Sequence, residues 1–287
     1  MENKIECSYI PPMHSAPRRR IWTVIICMIL TACASSQAPH PDIQTIATSQ
    51  HLTFQVITAR NGYQVVTLSK FFNSPLPIHI YLEGDGHAWN HSDQPSNDPT
   101  PQDLTVINLI SQDKNANILY VARPCQFVWS QQCQVTDWTN GRYSEKMISA
   151  IQDAVLAYPA SNRELIGYSG GAVVALLLLN RVPNITGLVT VAGNLAPDQF
   201  SVWHHVSPLT QSLPTQSALL ASATRPQRHW VGAEDDVIPP ELSSQMLTPI
   251  NHSPFVQQRV LPGASHHNGW QAHWAEIIAE PLPNAAN

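Results

Sequence analysis

A chain of 287 residues is long enough to bury one sizeable core and sits near the upper end for a single domain. Hydrophobic residues make up 43% and charged residues only 12%, against about 25% charged in an average soluble chain, so the sequence is that of a packed globular protein and not of an acidic tail or a charge-laced helix. With 15 basic and 20 acidic residues the formal net charge is −5, which leaves no basic reservoir for a phosphate backbone and gives nucleic-acid binding little support.

At the N-terminus, Arg18, Arg19 and Arg20 precede the apolar run IWTVIICMIL (21–30), which ends in Leu30-Thr31-Ala32-Cys33. A charged region, a short apolar region and small residues before a cysteine form an export signal, and the run is short for a bilayer span. The segment resembles a bacterial lipoprotein signal, with Met13 as an alternative start. That resemblance implies removal of residues 1–32 and acylation of Cys33, giving a palmitate-type anchor. With no Asp beside Cys33, it implies an exported envelope protein held at the outer membrane by its N-terminal lipid. An ordinary secretory signal cut near Ala34 and a retained membrane anchor are the alternatives. Residues 33–50, rich in Ser, Gln, Pro and Thr, read as a flexible tether. Residues 51–287 read as one domain.

Two β-rich runs follow, 52–59 and 63–71, joined at Asn61-Gly62, a strong hairpin signal. Strands are expected at 77–82, 117–123, 163–169, 185–193, 228–233 and 255–263. Helices are expected at 103–113, 143–158, 170–181, 240–248 and 269–280. Strands alternate with helices, and several lack polar alternation, as parallel strands covered on both faces do. The pattern predicts an α/β fold with a mostly parallel central sheet, covered by helices and preceded by an antiparallel hairpin. Residues 194–226 fall where a lid could be inserted, although their prolines argue against a large helical cap.

Of the five cysteines, Cys7 and Cys27 belong to the leader and Cys33 to the lipidation signal. Cys125 and Cys133 remain, eight positions apart in a chain marked for export, and are expected to form a disulfide, with two buried thiols as the alternative. No further ligands accompany them at zinc-like spacing, so no metal is expected.

Seven of the 12 glycines fall at strand ends: Gly84, Gly86, Gly167, Gly170, Gly171, Gly232 and Gly263. Ligands bind outside the carboxyl ends of strands in open parallel sheets, so the clustering marks one rim. Its sharpest element is Gly167-Tyr168-Ser169-Gly170-Gly171, a G-x-S-x-G between an apolar strand and an apolar helix. A serine on such a turn projects its hydroxyl above the sheet, and the helix that follows presents its positive end to a developing oxyanion.

Through this motif the chain resembles the α/β-hydrolases over about residues 52–280. Through YLEGDGHAW (81–89) and RPCQ (123–126) it also resembles a group of uncharacterised bacterial hydrolases. The resemblance implies an α/β-hydrolase fold and a Ser-Asp-His order of catalytic residues. It implies Ser169 as the nucleophile, with the backbone N–H groups of Asp85 and Gly170 as the oxyanion hole. Glu83 stands where the superfamily often has histidine, and Asp85 brings a carboxylate close to the developing charge unless it is turned away or paired. The segment RHWVGAEDDVIPPE matches a Gly-x-x-Asp pattern at Gly232 and Asp235, with Asp236 as competitor. In LPGASHHNGW, His266 follows Gly263 by three residues, with His267 as competitor. His87, Trp138 and His204 are candidates for touching substrate.

These roles imply a serine hydrolase that cleaves carboxylic esters through an acyl-enzyme, without a cofactor. Its partner would be a small-molecule or lipid-like ester. A peptidase or amidase with the same triad is the alternative, favoured by an amine-binding acidic patch at Glu83 or Asp85. A non-catalytic envelope lipoprotein that keeps the fold is the third reading. Oligomeric state is not legible in the sequence.

Overall fold

A computed structural model describes residues 42–72, 75–91 and 93–284; the signal segment, Cys33 and the first part of the tether lie outside the described residues. The elements in chain order are α1 (Ile43–Ser49), β1 (Thr53–Thr58), β2 (Gln64–Lys70), β3 (Ile78–Leu82), β4 (Trp89–His91), β5 (Gln94–Pro95), α2 (Thr105–Gln112), β6 (Ile118–Val121) and α3 (Glu145–Leu156). Then come β7 (Arg163–Tyr168), α4 (Gly171–Leu178), β8 (Ile185–Val191), α5 (Pro197–Trp203), α6 (Gln216–Ser222), β9 (Gln227–Gly232), α7 (Pro240–Leu247), β10 (Val256–Leu261) and α8 (Trp270–Ala279).

The main sheet has eight strands in the order β1-β2-β6-β3-β7-β8-β9-β10. β1 and β2 form the expected antiparallel hairpin, with Thr58 opposite Gln64, and β2 is also antiparallel to β6. From β6 to β10 every pairing is parallel. This is the α/β-hydrolase fold, and the alternation of side chains along each strand explains why its strands read as unbroken apolar runs. Ile80 and Leu82 enter a core with α3, α4 and α7, whereas Tyr81 between them enters a second core with α1, α2 and α8. With apolar layers on both faces, neither set of side chains is left for water. Helix α4 is buried along its whole length, so its sequence shows no polar stripe.

The tether reading requires correction at its C-terminal end. Residues 43–49 form α1, whose Ile43 and Ala47 are buried in the second core. Asp42 caps it, its Oδ1 accepting from the N–H of Gln44 at 3.1 Å and of Thr45 at 3.4 Å. The lid region contains two short helices, α5 and α6, instead of a large cap.

Candidate active site

The chain turn between β7 and α4 needs its glycines for space. A Cβ on Gly167 would lie 2.6 Å from the Gly171 carbonyl oxygen, and one on Gly171 would lie 2.2 Å from that of Leu82. Ser169 sits on this turn at φ +50°, a left-handed conformation that costs a non-glycine residue energy and lifts its side chain out of the strand path. Its carbonyl accepts from the N–H of Ala172 and of Asn194, which fixes the strained turn from two sides.

Two more strand ends bring side chains to the Ser169 hydroxyl. His266, on the loop after β10, places Nε2 3.0 Å from Ser169 Oγ. Its Nδ1 lies 3.1 and 3.0 Å from the two carboxylate oxygens of Asp235, on the loop after β9. Asp235 Oδ1 accepts from the N–H of Val237 at 2.9 Å and of Ile238 at 2.8 Å, so the carboxylate is fixed before it meets the imidazole. Asp235 and His266 are both buried, which strengthens their interaction relative to water. Asp236 is exposed. His267 is half-exposed and meets Tyr168 at 2.7 Å instead of the serine. The Tyr168 hydroxyl also donates to the His266 carbonyl at 3.2 Å, bracing the histidine loop.

The loop after β3 forms the remaining side. Among the described residues neither the Asp85 nor the Gly170 N–H has a hydrogen-bond partner. The Asp85 carboxylate is paired: Arg142 Nη1 lies at 2.7 Å, Arg123 Nη1 at 3.2 Å, and the Tyr143 hydroxyl donates at 2.9 and 3.0 Å. Burial pushes the Asp85 carboxyl up, but the two guanidiniums and the phenol more than offset it and hold it below the ordinary carboxylate value. Glu83 is buried, accepting from the Gly84 N–H at 2.9 Å and the Tyr120 hydroxyl at 2.8 Å. Burial raises its pKa to about 7.

A cleft of about 730 Å³ opens from Ser169 and Gly170. Its walls include Trp89, Phe200, Val206, Leu209, Val237 and Ile238, and among the described residues its only charged lining groups are Asp85 and Arg142. The three candidate substrate contacts are placed elsewhere. Trp138 is buried with Nε1–H donating to the Ser96 carbonyl at 3.0 Å, because an indole that deep needs an acceptor. His87 bonds Asn90 Oδ1 through Nε2 at 2.9 Å. His204 is not among the lining residues: its Nε2 lies 2.7 Å from the Val237 carbonyl oxygen and its ring 4.5 Å from that of Phe200. Of the apolar residues that do line the cleft, Trp89 closes the YLEGDGHAW segment, whereas Phe200 carries no local motif. Cys125 and Cys133 are paired as a disulfide, with Cα atoms 5.9 Å apart, in the loop that leads from Arg123 to Arg142.

No protein-family model matches the chain, and no curated protein does. Solved structures do resemble it. An esterase from Pyrococcus furiosus superposes with a TM-score of 0.57 at 17% identity, covering 80% of this chain and 92% of that one. A putative α/β hydrolase from Agrobacterium tumefaciens gives 0.54 at 16% identity, with 81% and 100% covered. The esterase domain of a Rhodothermus marinus protein gives 0.54 at 12% identity, with 79% and 94% covered. At such identities the likeness is one of fold: the chain has the α/β-hydrolase fold, and the rim of its sheet carries a serine-hydrolase-like arrangement.

Proposed function

We propose that the protein is a serine hydrolase that cleaves carboxylic esters. The observation that carries this reading is the hydrogen-bonded line Ser169 Oγ, His266, Asp235 on three separate strand-end loops. His266, held by Asp235 in the tautomer with Nδ1–H, takes the proton of Ser169 as Oγ attacks the ester carbonyl carbon. The N–H groups of Asp85 and Gly170 receive the tetrahedral oxyanion, and His266 returns the proton to the leaving alkoxide. Water then attacks the acyl-serine by the same route, and Ser169 regains its proton.

The peptidase or amidase alternative draws no support from Asp85 and Glu83. The first is engaged by two guanidiniums and a phenol, and the second is buried against Gly84 and Tyr120, so neither offers a free carboxylate to an amine. The mainly apolar cleft walls favour a neutral ester with a bulky apolar portion.

Intact-mass analysis after fluorophosphonate treatment is the direct test. One adduct on the wild type and none on S169A, together with hydrolysis of chromogenic esters, supports the assignment; labelling that persists in S169A rejects it. A wild type that neither labels nor hydrolyses points to the non-catalytic reading.

Export and lipid attachment at Cys33 are proposed on the residues that precede it, the triple arginine, the apolar run and LTAC. Two or three acyl chains would hold a soluble domain at a membrane, at about 0.8 kcal/mol per buried CH₂. Membrane fractionation unchanged by C33S, with no lipid on the N-terminal peptide, would reject this proposal.

A further inference from the structure

The segment RPCQ (123–126) carried part of the sequence resemblance, yet none of its residues belongs to the Ser169, His266, Asp235 line. Gln126 is 1% exposed, and both ends of its amide are engaged. Oε1 accepts from the Arg123 N–H at 2.9 Å, and Nε2 donates to the Gly84 carbonyl at 3.2 Å. The Gly84 carbonyl belongs to the same peptide group as the Asp85 N–H. Because that group is planar and trans, holding its oxygen on one side fixes the direction of its N–H on the other. A hydrogen bond at the carbonyl also polarises the peptide and makes its N–H a stronger donor.

The surroundings of Gln126 are built around this contact. Cys125 and Phe127, on either side of it, have φ of +71° and +62°, and such strain persists only where neighbouring contacts enforce it. The Phe127 N–H donates to Thr100 Oγ1 at 2.7 Å, and the disulfide holds Cys125. Gly86 leaves room for the side chain, since a Cβ there would lie 2.6 Å from Gln126 Nε2.

From the other direction, Arg123, Arg142 and Tyr143 grip the Asp85 carboxylate. That carboxylate lies against Gly170: a Cβ on Gly170 would be 2.2 Å from Asp85 Oδ1 and 2.6 Å from the Tyr143 hydroxyl oxygen. The same network therefore touches both residues whose N–H groups are free. Two guanidiniums against one carboxylate leave one net positive charge beside them.

We infer that Gln126 is a positioning residue for the oxyanion hole: it orients the Asp85 N–H through the far end of its peptide, while the Arg123, Arg142 and Tyr143 grip on the Asp85 side chain holds that peptide against Gly170. The inference rests on the hydrolase reading above. It assigns Gln126 an effect on the transition state, where charge develops on the substrate oxygen, with little effect on ground-state binding.

The test compares wild type, Q126M and Q126E in steady-state hydrolysis of one chromogenic ester and in fluorophosphonate labelling rate, with folding checked by thermal melt. Q126M removes both hydrogen bonds at nearly constant volume. Q126E keeps an acceptor for Arg123 and loses the donor to Gly84. For each, kcat should fall about 10- to 100-fold, below the 10²- to 10³-fold typical of deleting an oxyanion donor outright, with KM within about threefold and labelling slowed in parallel. If Q126M does not fold, Q126E decides. A folded variant with wild-type kcat, or one whose loss lies wholly in KM, overturns the inference while Ser169 labelling of the wild type leaves the hydrolase reading intact. A wild type inert to both ester and fluorophosphonate overturns both.

Discussion

Both ends of β3 carry buried carboxylates bonded to tyrosine hydroxyls, and both border a hollow. Near its start, Asp113 Oδ2 lies 2.6 Å from His79 Nδ1 and accepts from the Tyr81 hydroxyl at 2.7 Å, and the Trp274 indole donates to that hydroxyl at 2.9 Å. A hollow of about 470 Å³ adjoins His79 and Asp113. Beyond its end lie Glu83 with Tyr120, and Asp85 with Arg123, Arg142 and Tyr143. A network of buried charges beside a cavity is therefore not enough to mark a site. The end of β3 differs in that a strained serine turn meets a histidine and an aspartate there, and among the described residues the N–H groups of Asp85 and Gly170 have no partner. At the start, the carboxylate, phenol and indole satisfy one another, which is what a structural network does.

The largest effects that would break this contrast belong to the rim. H266A and D235N should each lower kcat on a responsive ester by about 10⁴-fold or more, while D236N and H267A should cost less than about tenfold, partly in KM. Steady-state kinetics on the four variants, with thermal melts to confirm folding, checks the geometry that brings Asp235 and His266 to Ser169. Should D236N or H267A prove the more damaging member of its pair while folded, the roles belong to the neighbour.

At the start of β3 the expectation reverses. D113N removes a buried carboxylate from His79 and Tyr81 and should destabilise the fold by about 3 kcal/mol, because breaking one member of a buried pair leaves its partners uncompensated. The kcat per folded molecule should stay at the wild-type level. Urea denaturation with activity measured below the transition checks both halves; a large loss of kcat in folded D113N would mean that the two ends are coupled.

How much of this was legible in the sequence follows from how local each signal is. The Ser169 turn is a five-residue motif between an apolar strand and an apolar helix, and every part of its physical requirement is contiguous. Asp235 and His266 each follow a strand-end glycine by three residues, so their loops were visible, although the choice over Asp236 and His267 depends on which side chain faces inward. The parallel sheet was visible because strands covered on both faces lose polar alternation. The roles of Arg142 and Tyr143 were not: Arg142 lies in a loop, Tyr143 stands at the start of the segment expected as a helix from 143 although α3 begins at Glu145, and the two meet Asp85 across 57 and 58 residues of sequence. Gln126 stood inside a noticed motif, but its role depends on a carbonyl 42 residues away. Helix α1 did leave a signal, Asp42 followed by Ile43, Ile46 and Ala47 at helical spacing, which the surrounding Ser, Gln, Pro and Thr obscured. Loop position makes Trp138 and His204 candidates for touching substrate, but it does not show that their ring nitrogens are engaged by the Ser96 and Val237 carbonyls.

The smallest effect separates the carboxylates by their response to pH. Asp113 and Asp85 are both held below the ordinary carboxylate value, each because bonded partners more than offset burial. Glu83 is the exception: burial raises it to about 7, the Asp103 charge adds to that, and the bonds from Gly84 and Tyr120 and the Arg123 charge only partly oppose it. A carboxyl whose folded pKa lies above its unfolded value keeps its proton in the native state after the unfolded chain has released it. Its contribution to stability is therefore fully present below about pH 4.5, declines as pH rises, and is gone above about pH 7. Over pH 5 to 7 that decline amounts to about 2 kcal/mol. In E83Q, a neutral amide of similar shape, it should vanish. The stability of the variant should gain on that of the wild type across this window and run parallel to it above pH 8. Urea midpoints for both proteins from pH 5 to 8 measure the difference. Parallel curves throughout would mean that Glu83 ionises at its ordinary value, and that the end of β3 tolerates a buried charge beside the half-buried Asp85 as readily as its start tolerates Asp113.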